Sequence, residues 1–202
     1  MQLMQYALSL KQGLTHASAN TVTGRLASGE IDGEPISDED FMWMFLMVIT
    51  AGNETTRSGI AQGMRLLMEH PEQLLWLQHN LDKIPDAVEE MLRFNGPLIS
   101  MRRTAMADVQ VGSAQIKKGD KVVLHYATVN FDEQVFGEDA HKFDVTRAAR
   151  QPGLARDLRS FGTGSHYCLG THLARQEMQI MFAELLPRIR QPKLAGPVRY
   201  MR

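Results

Sequence analysis

The sequence predicts a mainly α-helical fold with a small β-sheet (α+β), on three features. A capped apolar stretch from about residue 38 to 68 reads as one long helix. Shorter helical patterns follow over about 71–81 and 85–94, and a last amphipathic one covers about 169–186. Between them, from Arg103 onward, the period shortens to that of strands in DVQV, AQIKKG and KVVLHYA, with turns at Gly112-Ser113 and Gly119-Asp120.

Taken in order, residues 1–29 read as one helical stretch of weak periodicity ending near Gly29, and EIDGEPI (30–36) as a turn-rich acidic link. Ser37-Asp-Glu-Asp40 matches a capping box, with Ser37 as N-cap and Asp40 placed to reach back. Gly52, Gly59 and Gly63 lie inside the long helix, each costing about 1 kcal/mol against alanine, so each calls for a packing or functional reason. Pro71 suits the first position of the next helix, and the one after stops before Gly96-Pro97. Residues 130–165 are loop-rich, and Pro187 and Pro192 discourage continuation of the final helix. No repeat, low-complexity tract or linker divides the chain, so 1–202 is read as a single domain.

The chain has 202 residues, enough for a real core, with 44% apolar and 22% charged residues. A net charge of −1 gives no sign of a nucleic-acid or anionic-membrane surface. The most apolar run, from Phe41 to Gly52, falls short of the ~20 residues a membrane-spanning helix needs. The N-terminus shows no secretory leader pattern, so a cytoplasmic protein is the expectation. The single cysteine forms no internal disulfide and leaves one thiol free for chemistry.

That thiol sits in the most informative stretch, Phe161-Gly-Thr-Gly-Ser-His-Tyr-Cys168-Leu-Gly170. Gly162 and Gly164 let the backbone turn tightly and approach a flat ligand. Cys168 falls where loop becomes helix, where free amides favour a thiolate, the soft axial ligand that haem iron takes. Gly170 keeps the first turn free of bulk. Two other readings stand beside this one. A lone cysteine is commonly a small buried hydrophobe, and His166, Cys168 and His172 have a spacing that zinc could use, although no fourth ligand is near.

The stretch resembles the cytochrome P-450 signature F-G-x-G-x-H-x-C-x-G with every defined position filled, and the likeness continues into Leu173-Ala-Arg175. The resemblance implies haem b (iron protoporphyrin IX) with Cys168 as its iron ligand and the 161–170 loop as its seat. Ala51-Gly-Asn-Glu54-Thr55-Thr resembles the family's oxygen-activating helix, A/G-G-x-D/E-T. Thr55 is then the alcohol and Glu54 the acid that supply protons for cleavage of dioxygen, and Gly52 clears room for it. On its own, that segment also reads as a polar interruption where a core helix meets solvent. Glu90-Met-Leu-Arg93 matches E-x-x-R, implying a buried structural pair that Arg147 joins, although such i,i+3 pairs are common on exposed helices. By the same resemblance, Arg103 and His166 contact haem propionates.

The likeness covers residues 30–190, about the C-terminal half of a typical member, which implies a fragment of the fold without its substrate lid. Met42, Met44 and Met47 are expected to face absent partners in part. The implied activity is a monooxygenase inserting one atom of dioxygen into a C–H bond of a hydrophobic small molecule. Its electrons come from a ferredoxin or similar carrier with an NAD(P)H-dependent reductase. AGNETTR and QIKKGDKVV, with NFDE, look most like bacterial members that oxidise sterol or lipid side chains. The alternatives are a non-catalytic haem-binding fragment and a peroxide-driven haem-thiolate enzyme, against which the Glu54-Thr55 pair argues.

Overall fold

The computed structural model describes residues 2–14 and 20–198. The chain divides into two compact units, 1–54 and 55–202, and the boundary falls inside the longest helix.

In the first unit, α1 (Gln2–Gln12) ends where Gly13 closes back onto Ser9 O and Leu10 O. A separate short helix α2 (Val22–Ala27) begins at Thr21, whose hydroxyl accepts from the Gly24 amide at 3.0 Å. The single helix expected over 1–29 is therefore broken, and its residues 15–19 lie outside the described ones. The acidic link holds a small antiparallel ribbon, β1 (Glu30–Ile31) with β2 (Glu34–Pro35), turned by Asp32 and Gly33 at positive φ. Helix α3 (Asp38–Glu69) starts with a capping interaction. Ser37 Oγ accepts from the Asp40 amide at 3.0 Å, and Asp40 reaches back to that hydroxyl at 2.6 Å. Lys11 Nζ donates to Ile36 O at 3.0 Å and Asp38 Oδ1 at 2.8 Å, fixing α1 to the start of α3. Ala7, Ile36, Phe41 and Phe45 form this unit's small core. Trp43, Met44 and Met47 are exposed, whereas Met42 packs against that core.

The second unit takes the rest of α3, then α4 (Pro71–His79), a 3-10 turn at Leu81–Lys83, and α5 (Ile84–Phe94). The helix expected to run to Leu81 stops at His79 because Asn80 leaves helical geometry, its amide donating to Leu77 O. Strand β3 (Met101–Thr104) pairs antiparallel with β6 (Lys121–Leu124), and β4 (Val109–Val111) with β5 (Ala114–Ile116) around Gly112 at φ +58°. Among the described residues the expected small sheet is three two-stranded ribbons. Their strands are two to four residues long and mostly solvent-exposed, so no continuous apolar face joins them.

The loop-rich stretch contains one-turn helices α6 (Tyr126–Val129), α7 (Glu133–Phe136), α8 (Arg147–Arg150) and α9 (Leu154–Asp157). Helix α10 (Thr171–Leu185) follows, ending in a 3-10 turn through Arg188. Leu66, Leu67, Leu77, Val88, Met91, Met178 and Phe182 make the main core of α3, α4, α5 and α10. Two α3 glycines have their reason there. A Cβ at Gly63 would stand 2.8 Å from Met91 Sδ and 2.9 Å from Phe182 Cζ, and one at Gly59 would stand 3.3 Å from Met178 Sδ. Among the described residues no helix is long and apolar enough to cross a membrane.

Candidate functional site

The site is built outward from α5. Three of its side-chain contacts run to backbone carbonyls, because this helix carries its ions on the buried face. Glu90 and Arg93, one turn apart, pair through two bonds, Arg93 Nε to Glu90 Oε2 at 2.7 Å and Nη2 to Oε1 at 2.8 Å, with both side chains 0% exposed. Arg93 donates its remaining hydrogens to Asn130 O, Ala140 O and Lys142 O at 2.7, 2.8 and 3.2 Å. Arg147 brings a second buried cation, its Nε 3.1 Å from Glu90 Oε2 without the alignment of a hydrogen bond. Its other nitrogens reach Phe136 O, Asp139 and Lys142 O. Glu90 Oε1 also accepts the Asp144 amide at 3.0 Å. One carboxylate and two guanidinium groups thereby hold the irregular 130–147 segment in place of regular secondary structure, satisfying carbonyls that would otherwise be buried without partners.

A second buried chain connects α5 to the cysteine loop. Ser160 Oγ donates to Leu92 O at 2.5 Å and accepts from Asn130 Nδ2 at 2.8 Å, while Asn130 Oδ1 accepts the Arg159 amide. A Cβ at Gly96 would lie 2.7 Å from Ser160 Oγ, so only glycine lets the loop seat here. From Phe161 the chain turns outward. Gly162 (φ +74°) is buried against Tyr126, and Gly164 (φ +68°) opens a 3-10 turn over Gly164–His166 in a conformation that L side chains rarely adopt.

Cys168 is a free, exposed thiol, which removes the buried-hydrophobe alternative. It lies just outside α10, whose N-cap is Gly170, and its amide donates to Phe161 O at 3.0 Å, closing the 161–168 loop on itself. Gly170 leaves space beside the sulfur: a Cβ there would be 3.9 Å from Cys168 Sγ. His166 and Gly170 are exposed in the same loop, and Phe161 is half-buried at its root. Among the described residues no cluster of three or more His, Cys, Asp or Glu side chains is arranged for a metal ion, so zinc through His166, Cys168 and His172 has no support.

The remaining predicted residues lie elsewhere. Arg103 is on β3, half-buried, its Nη1 donating to Arg102 O at 3.2 Å. Ala51 and Glu54 are exposed on the part of α3 in the first unit, and Thr55, half-buried, opens the part in the second. A Cβ at Gly52 would meet nothing within 4 Å, in contrast to those at Gly59 and Gly63.

Sequence reasoning missed the Glu89–Arg175 pair. Arg175 Nε and Nη2 donate to Glu89 Oε1 and Oε2 at 2.6 and 2.9 Å, joining α10 to α5, and Arg175 also donates to Thr171 Oγ1. Burial opposes the charge on Arg175, but the bonds to Glu89 outweigh it and hold its pKa above the ordinary value. The signal was the second acid of Glu89-Glu90, which lies about 100° around the helix from its neighbour and so faces a different partner.

A sequence model of the family Cytochrome P450 matches residues 12–191, and the chain belongs to that family. It is 36% identical over 181 residues to a steroid C26-monooxygenase of Mycolicibacterium smegmatis, covering 90% of this chain and 40% of the relative. It is 39% identical over 177 residues to a linalool 8-monooxygenase of Pseudomonas putida, covering 88% and 42%. Among solved structures, P450BioI in complex with an acyl carrier protein ligated to hexadec-9Z-enoic acid superposes with a TM-score of 0.84 at 33% identity, covering 99% of this chain and 50% of that one. Cytochrome P450 CREJ in complex with (4-ethylphenyl) dihydrogen phosphate superposes with a TM-score of 0.79 at 34% identity, covering 91% and 44%. The chain thus spans two-fifths to half the length of these relatives.

The family's cofactor is haem b, and the loop fits it. A single soft sulfur is presented outward, between Leu169 (86% exposed) and Tyr167 (48% exposed), on a backbone kept thin by glycines. An apolar rim around a thiolate-type donor suits a flat hydrophobic macrocycle.

Proposed function

We propose that this chain is the haem-thiolate portion of a monooxygenase that inserts one atom of dioxygen into a C–H bond of a hydrophobic small molecule. The observation that carries the reading is the exposed Cys168 on a glycine-turned loop whose root is tied to α5 through buried Ser160 and Asn130. The steroid and terpene names of its relatives support a sterol, terpene or lipid side chain as substrate. A separate ferredoxin-like carrier with an NAD(P)H-dependent reductase supplies the electrons, in the cytoplasm.

Cys168 Sγ would hold the haem iron, and Arg103 and His166 would pair with its propionates. When bound, the haem supplies the oxygen-activating and electron-accepting chemistry. The residues of the chain do the rest. The fixed backbone at Cys168 orients the sulfur. By the family resemblance the Thr55 hydroxyl would hold a proton for oxygen activation, and the Glu54 carboxyl, exposed on the preceding residue, would replenish it from solvent. By the family resemblance Gly52, which carries no side chain, would leave room for a diatomic ligand.

The reading is tested on the purified chain reconstituted with haem, by the carbon-monoxide difference spectrum of the reduced protein. The long-wavelength band of thiolate ligation is expected, and Cys168→Ala is expected to abolish it. A variant that keeps the band would overturn the assignment of the ligand. With a redox partner and the complete protein, Thr55→Ala is expected to divert electrons to hydrogen peroxide, measured as product formed per NAD(P)H consumed. Unchanged coupling would remove Thr55 from the relay and favour a peroxide-driven enzyme.

A further inference from the structure

Cys168 makes two backbone contacts, and both lead to the same guanidinium. Its amide donates to Phe161 O at 3.0 Å, and its carbonyl accepts the Thr171 amide at 3.4 Å. The Phe161 ring lies under Arg175, with the guanidinium carbon 4.6 Å from the ring centroid. The Thr171 hydroxyl accepts from Arg175 Nη1 and stands 3.3 Å from the Tyr167 hydroxyl, at the residue just before the cysteine. Arg175 cannot swing away, because its other two nitrogens form the forked pair with Glu89, and both side chains are largely buried (15% and 12% exposed).

We infer that Arg175, held by Glu89, is a positioning residue for the iron-ligating cysteine. It grips the residues on either side of Cys168, Phe161 and Thr171, and so fixes the direction in which the sulfur points. This rests on the haem-thiolate reading above and assigns to Arg175 a role exercised through Phe161 and Thr171. The planar fork matters as much as the charge. Lysine cannot stack on Phe161, reach Thr171 and pair with Glu89 at once.

The test compares wild type, Arg175→Ala, Arg175→Lys, Glu89→Gln and, as a control for general destabilisation, Leu77→Ala in the core, all as the haem-loaded chain. Two readouts are taken. Hydrogen exchange at the Cys168 amide reports the Phe161 anchor whether or not haem is bound. It is expected to quicken by about tenfold or more in Arg175→Ala, as follows from losing charge-assisted contacts, and by less in Arg175→Lys and Glu89→Gln. The carbon-monoxide spectrum should move from the thiolate band towards the neutral-thiol band in the same order. Leu77→Ala should lower the melting temperature without either change. The inference is overturned if Arg175→Ala leaves Cys168 exchange at the wild-type rate, or if Leu77→Ala reproduces both effects. Absence of a thiolate band from wild type would overturn the haem reading instead, and the exchange data would still decide whether Arg175 holds the loop.

Discussion

The side chains of Glu90, Arg93 and Arg147 are shut off from solvent, whereas every residue from Thr163 to Gly170 is exposed. The two regions communicate through a few buried groups, Leu92 O, Asn130 and Ser160. The first is ionic and packed around carbonyls; the second is glycine-rich and carries its chemistry outward. Buried ion clusters are weak evidence for net stability, since a hydrophobic replacement often does as well. Here the cluster does something an apolar core cannot, because it binds carbonyl oxygens of a segment without regular structure. The contrast teaches a division of labour. Rigidity is stored in charges that never meet solvent, and the loop that carries the sulfur is shaped by glycines and by its own backbone bonds.

The sharpest way to break that division is to remove one partner of the cluster. Arg93→Ala leaves Glu90 with Arg147 as its neighbouring cation and the Asp144 amide as its donor, and takes a donor from each of Asn130 O, Ala140 O and Lys142 O. A loss of about 3–5 kcal/mol is expected, read from urea unfolding, together with failure to retain haem. Restoring the charge without the fork, as Arg93→Lys, should recover only part of it.

Next in size are the glycines of α3, which divide between packing and open space. Gly63→Ala forces a methyl against Met91 and Phe182 and should cost about 1–3 kcal/mol by overpacking. Gly52→Ala meets nothing and should instead gain up to about 1 kcal/mol from helix propensity. If both substitutions destabilise, Gly52 has a packing role and the open-space argument fails. If Gly52→Ala stabilises the chain while slowing carbon-monoxide binding to the reduced haem, the argument is sharpened.

A smaller effect is expected at the rim of the cluster. Asp139 is held below the usual carboxylate range chiefly by its hydrogen bond from Arg147, against burial. For Asp144, burial would raise the pKa, but bonds from Thr146 and Arg150 outweigh it and the net direction is down. Both folded values lie below the unfolded one. The stability they contribute is therefore present above about pH 4 and is lost as pH falls through the lowered values. Unfolding midpoints measured from neutral pH downward should drop in that window. Arg150→Ala should flatten the drop, because Arg150 bonds to both carboxylates.

Much of this architecture was legible because its signals are local. The capping box at Ser37, the glycine pattern of 161–170 and the i,i+3 spacing of Glu90 and Arg93 each sit within ten residues of sequence. What was not legible depends on distant pairing. Strand β3 meets β6 across about twenty residues, Arg175 meets Glu89 across 86, and Ser160 meets Leu92 through a backbone carbonyl that no side-chain pattern reveals. The break between α1 and α2 was missed for another reason: weak periodicity does not exclude a helix, and the Thr21 cap is a short signal beside it. The strand residues gave the right element type but could not say that they pair as two-stranded ribbons.

The smallest expected stability effect belongs to the residue of greatest chemical consequence. Cys168 is exposed, and its contacts are made by its own amide and carbonyl, so Cys168→Ala keeps them all. In the haem-free chain that substitution should change the unfolding free energy by no more than about 0.5 kcal/mol, as for an ordinary surface position. In the haem-loaded chain the same change should remove the thiolate band and whatever stabilisation the bound cofactor provides by mass action. The two measurements, taken on one variant, separate the loop as a ligand from the loop as part of the fold. A large loss in the haem-free chain would mean that Cys168 Sγ is itself a packing element, and the division between buried scaffold and exposed chemistry would then be drawn in the wrong place.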